Sequence, residues 1–311
     1  MKVIRHVMVQ LLAIAFAVYS YGQQQPMFTQ YMFNGLVLNP AYAGAQETFA
    51  ATAIMRRQWA GVPGAPQTQT FSAHSPIDNL RTARRAGSPI SIGATLFHDQ
   101  IAITSQTGLL TAYAYRIRFS RESSLSMGLQ AGVSQYRIRY SDLELDDPAF
   151  AMGDATQWQA EFGAGIYYRH RRFFSGLSAP QMLRPKHIGN APALAFAPHI
   201  FLTMGYVFDV NASLKLKPHI LLKNYNGLLS QVDINCNAFV NDALMLGLSW
   251  RSLESISALF QLQLNPKFAV GYAYDYPYSR DLTVMSNGSH EIMVSYTVPR
   301  KKITSINPRF F

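Results

Sequence analysis

LSMGLQAG, residues Leu125–Gly132, decides how this chain is read. Leu125, Met127, Leu129 and Ala131 alternate with Ser126, Gly128, Gln130 and Gly132. Successive side chains of a strand point to opposite faces, so the stretch describes a strand with one apolar face and one small or polar face. The pattern recurs outward in both directions. Ile90, Ile92, Ala94 and Leu96 alternate with Ser91, Gly93 and Thr95. Val232, Ile234, Cys236 and Ala238 alternate with Asp233, Asn235 and Asn237, and Phe268, Val270, Tyr272 and Tyr274 with Ala269, Gly271 and Ala273.

From Thr48 onward such units of about ten residues repeat, each closed by a turn. Fourteen strands are predicted, with cores at 48–59, 66–76, 89–98, 105–119, 124–140, 156–169, 172–179, 198–208, 212–224, 229–240, 243–251, 254–264, 267–275 and 290–298. An even count lets a closed sheet begin and end on one side. With that side periplasmic, the periplasmic connections include five tight turns, at 120–123, 170–171, 209–211, 241–242 and 265–266, and one long segment, 77–88. The opposite set holds the three longest loops, near 141–155, 180–197 and 276–289. Short periplasmic turns and long outer loops are the rule for outer-membrane barrels. The fold expected is therefore all-β, a transmembrane antiparallel up-and-down β-barrel of about fourteen strands.

Composition agrees. The 311 residues are 49% hydrophobic but only 14% charged, where a soluble protein carries about a quarter charged residues. Aromatics reach 13%, and Trp59, Tyr113, Tyr115, Tyr167, Tyr168, Trp250 and Tyr274 fall near strand ends, as interfacial girdles require. A secreted β-sandwich fits the composition equally; loop parity favours the barrel. The net charge of +10 comes with no nucleic-acid-binding signature, so no nucleic-acid partner is expected.

Residues 1–22 read as a secretory signal: Lys2, Arg5 and His6, then the apolar run Val7–Val18, too short to span a bilayer, then Ser20-Tyr21-Gly22. Residues 23–47 follow as an N-terminal docking or plug segment, 48–298 as the barrel, and 299–311 as a basic periplasmic tail. The segment from Gln23 to Gly44, QQQPMFTQYMFNGLVLNPAYAG, is dense in aromatics and Met but does not alternate. Asn39-Pro40 interrupts any regular element. It is expected to fold back and bury Phe28, Tyr31, Met32 and Phe33 at the periplasmic mouth or in the lumen, with Gln30 and Asn34 capping backbone groups.

The segment also carries a resemblance. Pro26, Phe28, Gln30, Tyr31, Met32, Phe33 and Asn34, then Asn39, Pro40, Ala41, Tyr42, Ala43 and Gly44, resemble the opening of the PorP/SprF family of type IX secretion and gliding proteins of Bacteroidetes. Arg56, Gln58, Trp59, Gly61, Pro66 and Thr68 resemble that family's next block. The resemblance implies an integral outer-membrane protein with a non-enzymatic role. It would hold a secreted adhesin or its C-terminal domain at the cell surface and couple to periplasmic lipoprotein or peptidoglycan-binding partners. The alternative is a passive porin-like channel for small solutes.

Other constellations are weak. The chain has no HExxH, GxSxG or CxxC, and lone Cys236 permits no intrachain disulfide; no cofactor or metal is expected. Gly163 and Gly165 read as close strand packing or as lumen space. Asp142, Glu144, Asp146, Asp147 and Asp154 offer oxygens for calcium, but a solvated acidic loop is the simpler reading. Asp275, Tyr276, Tyr278, Arg280 and Asp281 surround the last outer loop, and hydrolysis by Ser286 or Ser289 with His290 would need a third group that is not assigned. Lys215, Lys217, His219 and Lys223 share one face of strand nine, a basic lumen stripe suited to anions or an acidic peptide. Arg81, Arg84, Arg85, Arg300, Lys301 and Lys302 form a candidate face for a periplasmic partner.

Overall fold

The computed structural model describes residues 27–77, 89–120, 122–142, 153–183, 187–188, 191–192, 198–225, 228–278 and 280–298. The expected leader, residues 1–22, and Arg81, Arg84, Arg85 and the residues from 299 lie outside them. Fourteen strands follow in order: β1 (Ala50–Arg57), β2 (Gln67–Pro76), β3 (Ile90–Ile101), β4 (Thr104–Arg118), β5 (Ser124–Ile138), β6 (Ala155–Arg169) and β7 (Phe173–Ala179). Then come β8 (His199–Tyr206, continued by Phe208–Asp209), β9 (Leu214–Tyr225), β10 (Leu228–Val240), β11 (Leu244–Arg251), β12 (Ser255–Gln263), β13 (Phe268–Pro277) and β14 (Ser289–Thr297). A ribbon of His187–Ile188 with Ala191–Pro192 sits in the loop after β7.

Each strand pairs antiparallel with its chain neighbours, and β14 pairs β1 from Ala50↔Thr297 to Arg57↔His290, closing the barrel. Closure pairs the backbone groups that a bilayer cannot. On β5, Met127, Leu129 and Val133 point out while Ser126, Gln130 and Ser134 are buried inside. The outward row also includes Phe71, Ile92, Leu96, Leu109, Phe162 and Leu248. An apolar exterior around a polar interior is the reverse of a soluble domain, and it follows from lipid being the outer solvent. One girdle assignment differs: Tyr167 points into the lumen, where its ring meets Tyr42 edge-on at 5.5 Å between centroids. Its strand neighbour Tyr168 takes the outward position, because the side-chain period is two.

Inside the barrel runs the segment from Met27. It makes a 3-10 turn at Tyr31–Phe33, the single turn α1 at Gly35–Leu38 and a second 3-10 turn at Pro40–Tyr42. Pro40 opens that last turn, where its missing N–H costs nothing, and the Asn39 side chain accepts from Ala41 N at 2.9 Å. Met27, Phe28, Tyr31, Met32, Leu36, Leu38, Ala41 and Tyr42 are all buried and form the centre of the apolar core. Phe33 is only half-buried and looks toward small cavities at the periplasmic end.

Candidate functional site: a plugged lumen clamped at both ends

The plug crosses the lumen from the long-loop end to the short-turn end, the outer and periplasmic ends by the loop-length rule for outer-membrane barrels. Its start touches Arg56, Arg251 and Asp275, which lie at the outer ends of β1, β11 and β13. Its end touches Arg116 and Arg169, at the periplasmic ends of β4 and β6. Of the two expected places, the periplasmic mouth or the lumen, the segment takes the lumen, and its first described residues lie at the long-loop end.

At the outer end the plug backbone is held by buried charge. The Glu291 carboxylate accepts two consecutive plug amides, from Thr29 N and Gln30 N, each at 2.7 Å. Thr29 Oγ1 donates to the Asp275 carboxylate at 2.8 Å and accepts from Arg56 NH1 at 2.8 Å. Arg56 NH1 also lies 2.6 Å from Asp275 Oδ2 and 3.2 Å from Glu291 Oε2. Arg251 donates through Nε to Asp233 at 2.9 Å, through NH1 to Glu254 at 3.2 Å and through NH2 to the Phe28 carbonyl at 3.2 Å. Burial works against ionised Glu254, in the outer β11–β12 turn, but the charges of Arg251 and Arg56 outweigh it and its pKa is lowered.

In the middle, side chains take over. Tyr31 accepts at its hydroxyl from Asn235 Nδ2 at 3.1 Å, and its ring packs on His219. Asn34 accepts from the Ser72 hydroxyl. Asn39 Nδ2 donates to the Ile166 carbonyl at 2.9 Å, and the Ser178 hydroxyl to the Leu38 carbonyl at 2.7 Å. The wall makes room: a Cβ at Gly128 would overlap the backbone of Ala41, and one at Gly165 would overlap the Asn39 amide. Gly165 thus answers to the plug rather than to strand packing alone.

At the periplasmic end Glu47 is ringed by three guanidiniums, Arg169 at 2.7 Å, Arg118 at 3.2 Å and Arg116 at 3.3 Å. Gly44, at φ +71°, donates from its N–H to His74 Nδ1 at 3.2 Å and accepts from Arg116 at its carbonyl. Burial opposes the charge of Glu47, yet Arg169, Arg118 and Arg116 outweigh it and hold its pKa below the ordinary value.

The remaining candidates fall as follows. Lys215, Lys217, His219 and Lys223 alternate inward on β9, with Lys217, His219 and Lys223 buried against the plugged lumen and Lys215 paired to Asp242 at 2.7 Å. Of the two expected caps, Gln30 reaches a backbone group, donating from Nε2 to the Glu291 carbonyl at 3.5 Å, whereas Asn34 accepts from the Ser72 side chain; the plug amides of Thr29 and Gln30 are taken by Glu291 and that of Ala41 by Asn39. Ser289 faces inward, bonded by Trp59 N, whereas His290 bonds the Tyr272 hydroxyl at 2.7 Å, so the two are not brought together. Asp154 caps Ser141 and pairs with Arg137, and Asp142 pairs with Arg139; Glu144, Asp146 and Asp147 lie outside the described residues. Asp233, Arg251, Glu254 and Glu291 were not singled out as site residues. The available signal was a charge on the inward face of a membrane-crossing strand, or just beyond it, and such charges are expensive and seldom idle.

These features define an outer-membrane β-barrel whose lumen is filled by its own N-terminal segment. Residues 20–296 match the family of the type IX secretion system membrane protein PorP/SprF, and the chain belongs to that family. No curated protein matches it by sequence. Among solved structures, the CymD monoaromatic hydrocarbon channel aligns with 86% of this chain and 93% of its own at 11% identity and a TM-score of 0.50. A FadL homologue of Pseudomonas aeruginosa aligns with 88% of this chain and 95% of its own at 11% identity and a TM-score of 0.41. The KdgM porin in complex with disordered oligogalacturonate covers 80% of this chain and 99% of its own at 6% identity and a TM-score of 0.41. At such identities the likeness concerns the barrel fold alone.

Proposed function

We propose that this protein is a non-conducting, non-enzymatic docking barrel of type IX secretion. It holds a secreted adhesin through that protein's C-terminal domain at the cell surface and couples to a periplasmic lipoprotein or peptidoglycan-binding partner. The observation that supports this reading is the occupied lumen: Met27–Ala45 fills it, and the cavities beside the segment measure about 30, 40 and 70 Å³. A passive solute channel needs a continuous polar passage, and a plug held by buried charge opposes one. Arg81, Arg84, Arg85, Arg300, Lys301 and Lys302 supply the basic periplasmic face in this proposal. Purification of the native protein in mild detergent should bring down one large secreted protein together with a periplasmic component. A barrel that purifies alone and conducts steadily in planar bilayers would restore the porin reading.

A further inference from the structure

We infer that the interface between plug and wall holds one monatomic anion, of the halide class, against Lys217 and His219. A cavity of about 30 Å³ lies between the plug residues Tyr31, Leu38 and Asn39 and the wall residues Phe174, Thr203, Lys217 and His219. Lys217 and His219 are each only 3% exposed. Neither ring nitrogen of His219 has a hydrogen-bond partner among the described residues. The Lys217 ammonium sits 5.0 Å from the centroid of the Phe174 ring, which supports its charge but does not neutralise it.

The nearby carboxylates are committed elsewhere. Asp242 takes the charge of Lys215, two positions along the same strand. Asp233 is held by Arg251, and Glu47 by Arg169. No Asp or Glu lines the cavity among the described residues. A buried cation needs a counter-charge. An imidazole in either tautomer keeps one N–H to donate, while the Thr203 hydroxyl proton is directed to the Gly176 carbonyl at 3.5 Å, so Lys217 and His219 are the donors available to an ion. On a scale where one water needs about 10–15 Å³, the space admits a small monatomic ion, and water is the rival occupant.

The lining is half plug and half wall, so an ion bound there would favour the plugged state by mass action. This inference is independent of the docking role, since it concerns only how the plug is seated. Crystals of the full protein grown in bromide should show an anomalous peak within hydrogen-bond reach of Lys217 Nζ. In detergent, exchanging chloride for gluconate should lower the unfolding temperature of the wild type and leave Lys217→Met unmoved. Oxygen density with no anomalous signal, or a chloride dependence that persists in Lys217→Met, would overturn the assignment. Should that variant fail to assemble, the bromide map of the wild type decides alone.

Discussion

The two ends of the plug are held by opposite arithmetic. At the outer end four carboxylates, Asp233, Glu254, Asp275 and Glu291, face two guanidiniums, Arg56 and Arg251. At the periplasmic end one carboxylate, Glu47, faces three guanidiniums. Burial differs too. The side chains of Arg56 and Glu291 are 1% and 0% exposed, whereas those of Glu47 and Arg118 are 17% and 34% exposed. A buried, interlocked set cannot lose one member without stranding another, while a partly solvated set with three cations for one carboxylate can. The outer clamp also straddles the closing strands, because Arg56 on β1 is the direct register partner of Glu291 on β14. The plug therefore bears on barrel closure at one end and rests on a wet ring of charge at the other.

The largest effect should come from Arg56. Arg56→Met leaves Asp275 and Glu291 buried without their shared cation, and breaking such a set costs about 3–5 kcal/mol. The variant should lose most of its heat-resistant folded band on electrophoresis and unfold at much lower denaturant. If its midpoint moves no further than that of a Glu47 variant, the distinction between the two ends fails.

Next in size is the wall. Gly128→Leu puts a side chain where the Ala41 backbone runs, an overpacking that costs about 1–3 kcal/mol. The barrel strands are not asked to move, so the plug should yield instead. Planar bilayers should then show raised conductance from a barrel with unchanged far-UV circular dichroism. A variant as closed as the wild type would mean that the plug tolerates a displacement the packing denies it, and would weaken the view of the outer clamp as its chief anchor.

How much of this was legible in sequence follows from which signals are local. The strands were, because a two-residue period needs only neighbours, and the predicted cores 105–119 and 156–169 fall on β4 and β6 within a residue at each end. The plug's apolar content was legible in Phe28, Tyr31 and Met32 as local composition, without any period. Its direction was not, since that depends on Thr29 meeting Glu291, 262 positions away. The clamp was equally hidden. Asp275 stood out only as part of a loop cluster, and Glu291 is one charge in a strand whose partners lie on β1 and in the plug. Loop-closing contacts of that span leave no trace in local periodicity.

The smallest effect, and the finest test of the comparison, concerns Glu47. Its backbone sits at φ 56°, a left-handed conformation that costs a non-glycine residue about 1 kcal/mol or more, and the arginine ring offsets that cost. Glu47→Gln removes the charge but keeps the shape, and with two of its three partners, Arg118 and Arg169, partly solvated the loss should be about 1 kcal/mol. The pH dependence has a definite sign. The folded pKa is lowered below the ordinary glutamate value of 4.5, so the ionised form is favoured in the folded state. The contribution is therefore fully present above about pH 4.5 and is lost as pH falls through the folded pKa. Protease access to the plug in detergent, followed from neutral pH downward, should rise below about pH 4.5 more steeply in the wild type than in Glu47→Gln. Equal slopes would mean that the periplasmic ring does not hold the plug at all, leaving the outer clamp as its sole electrostatic anchor.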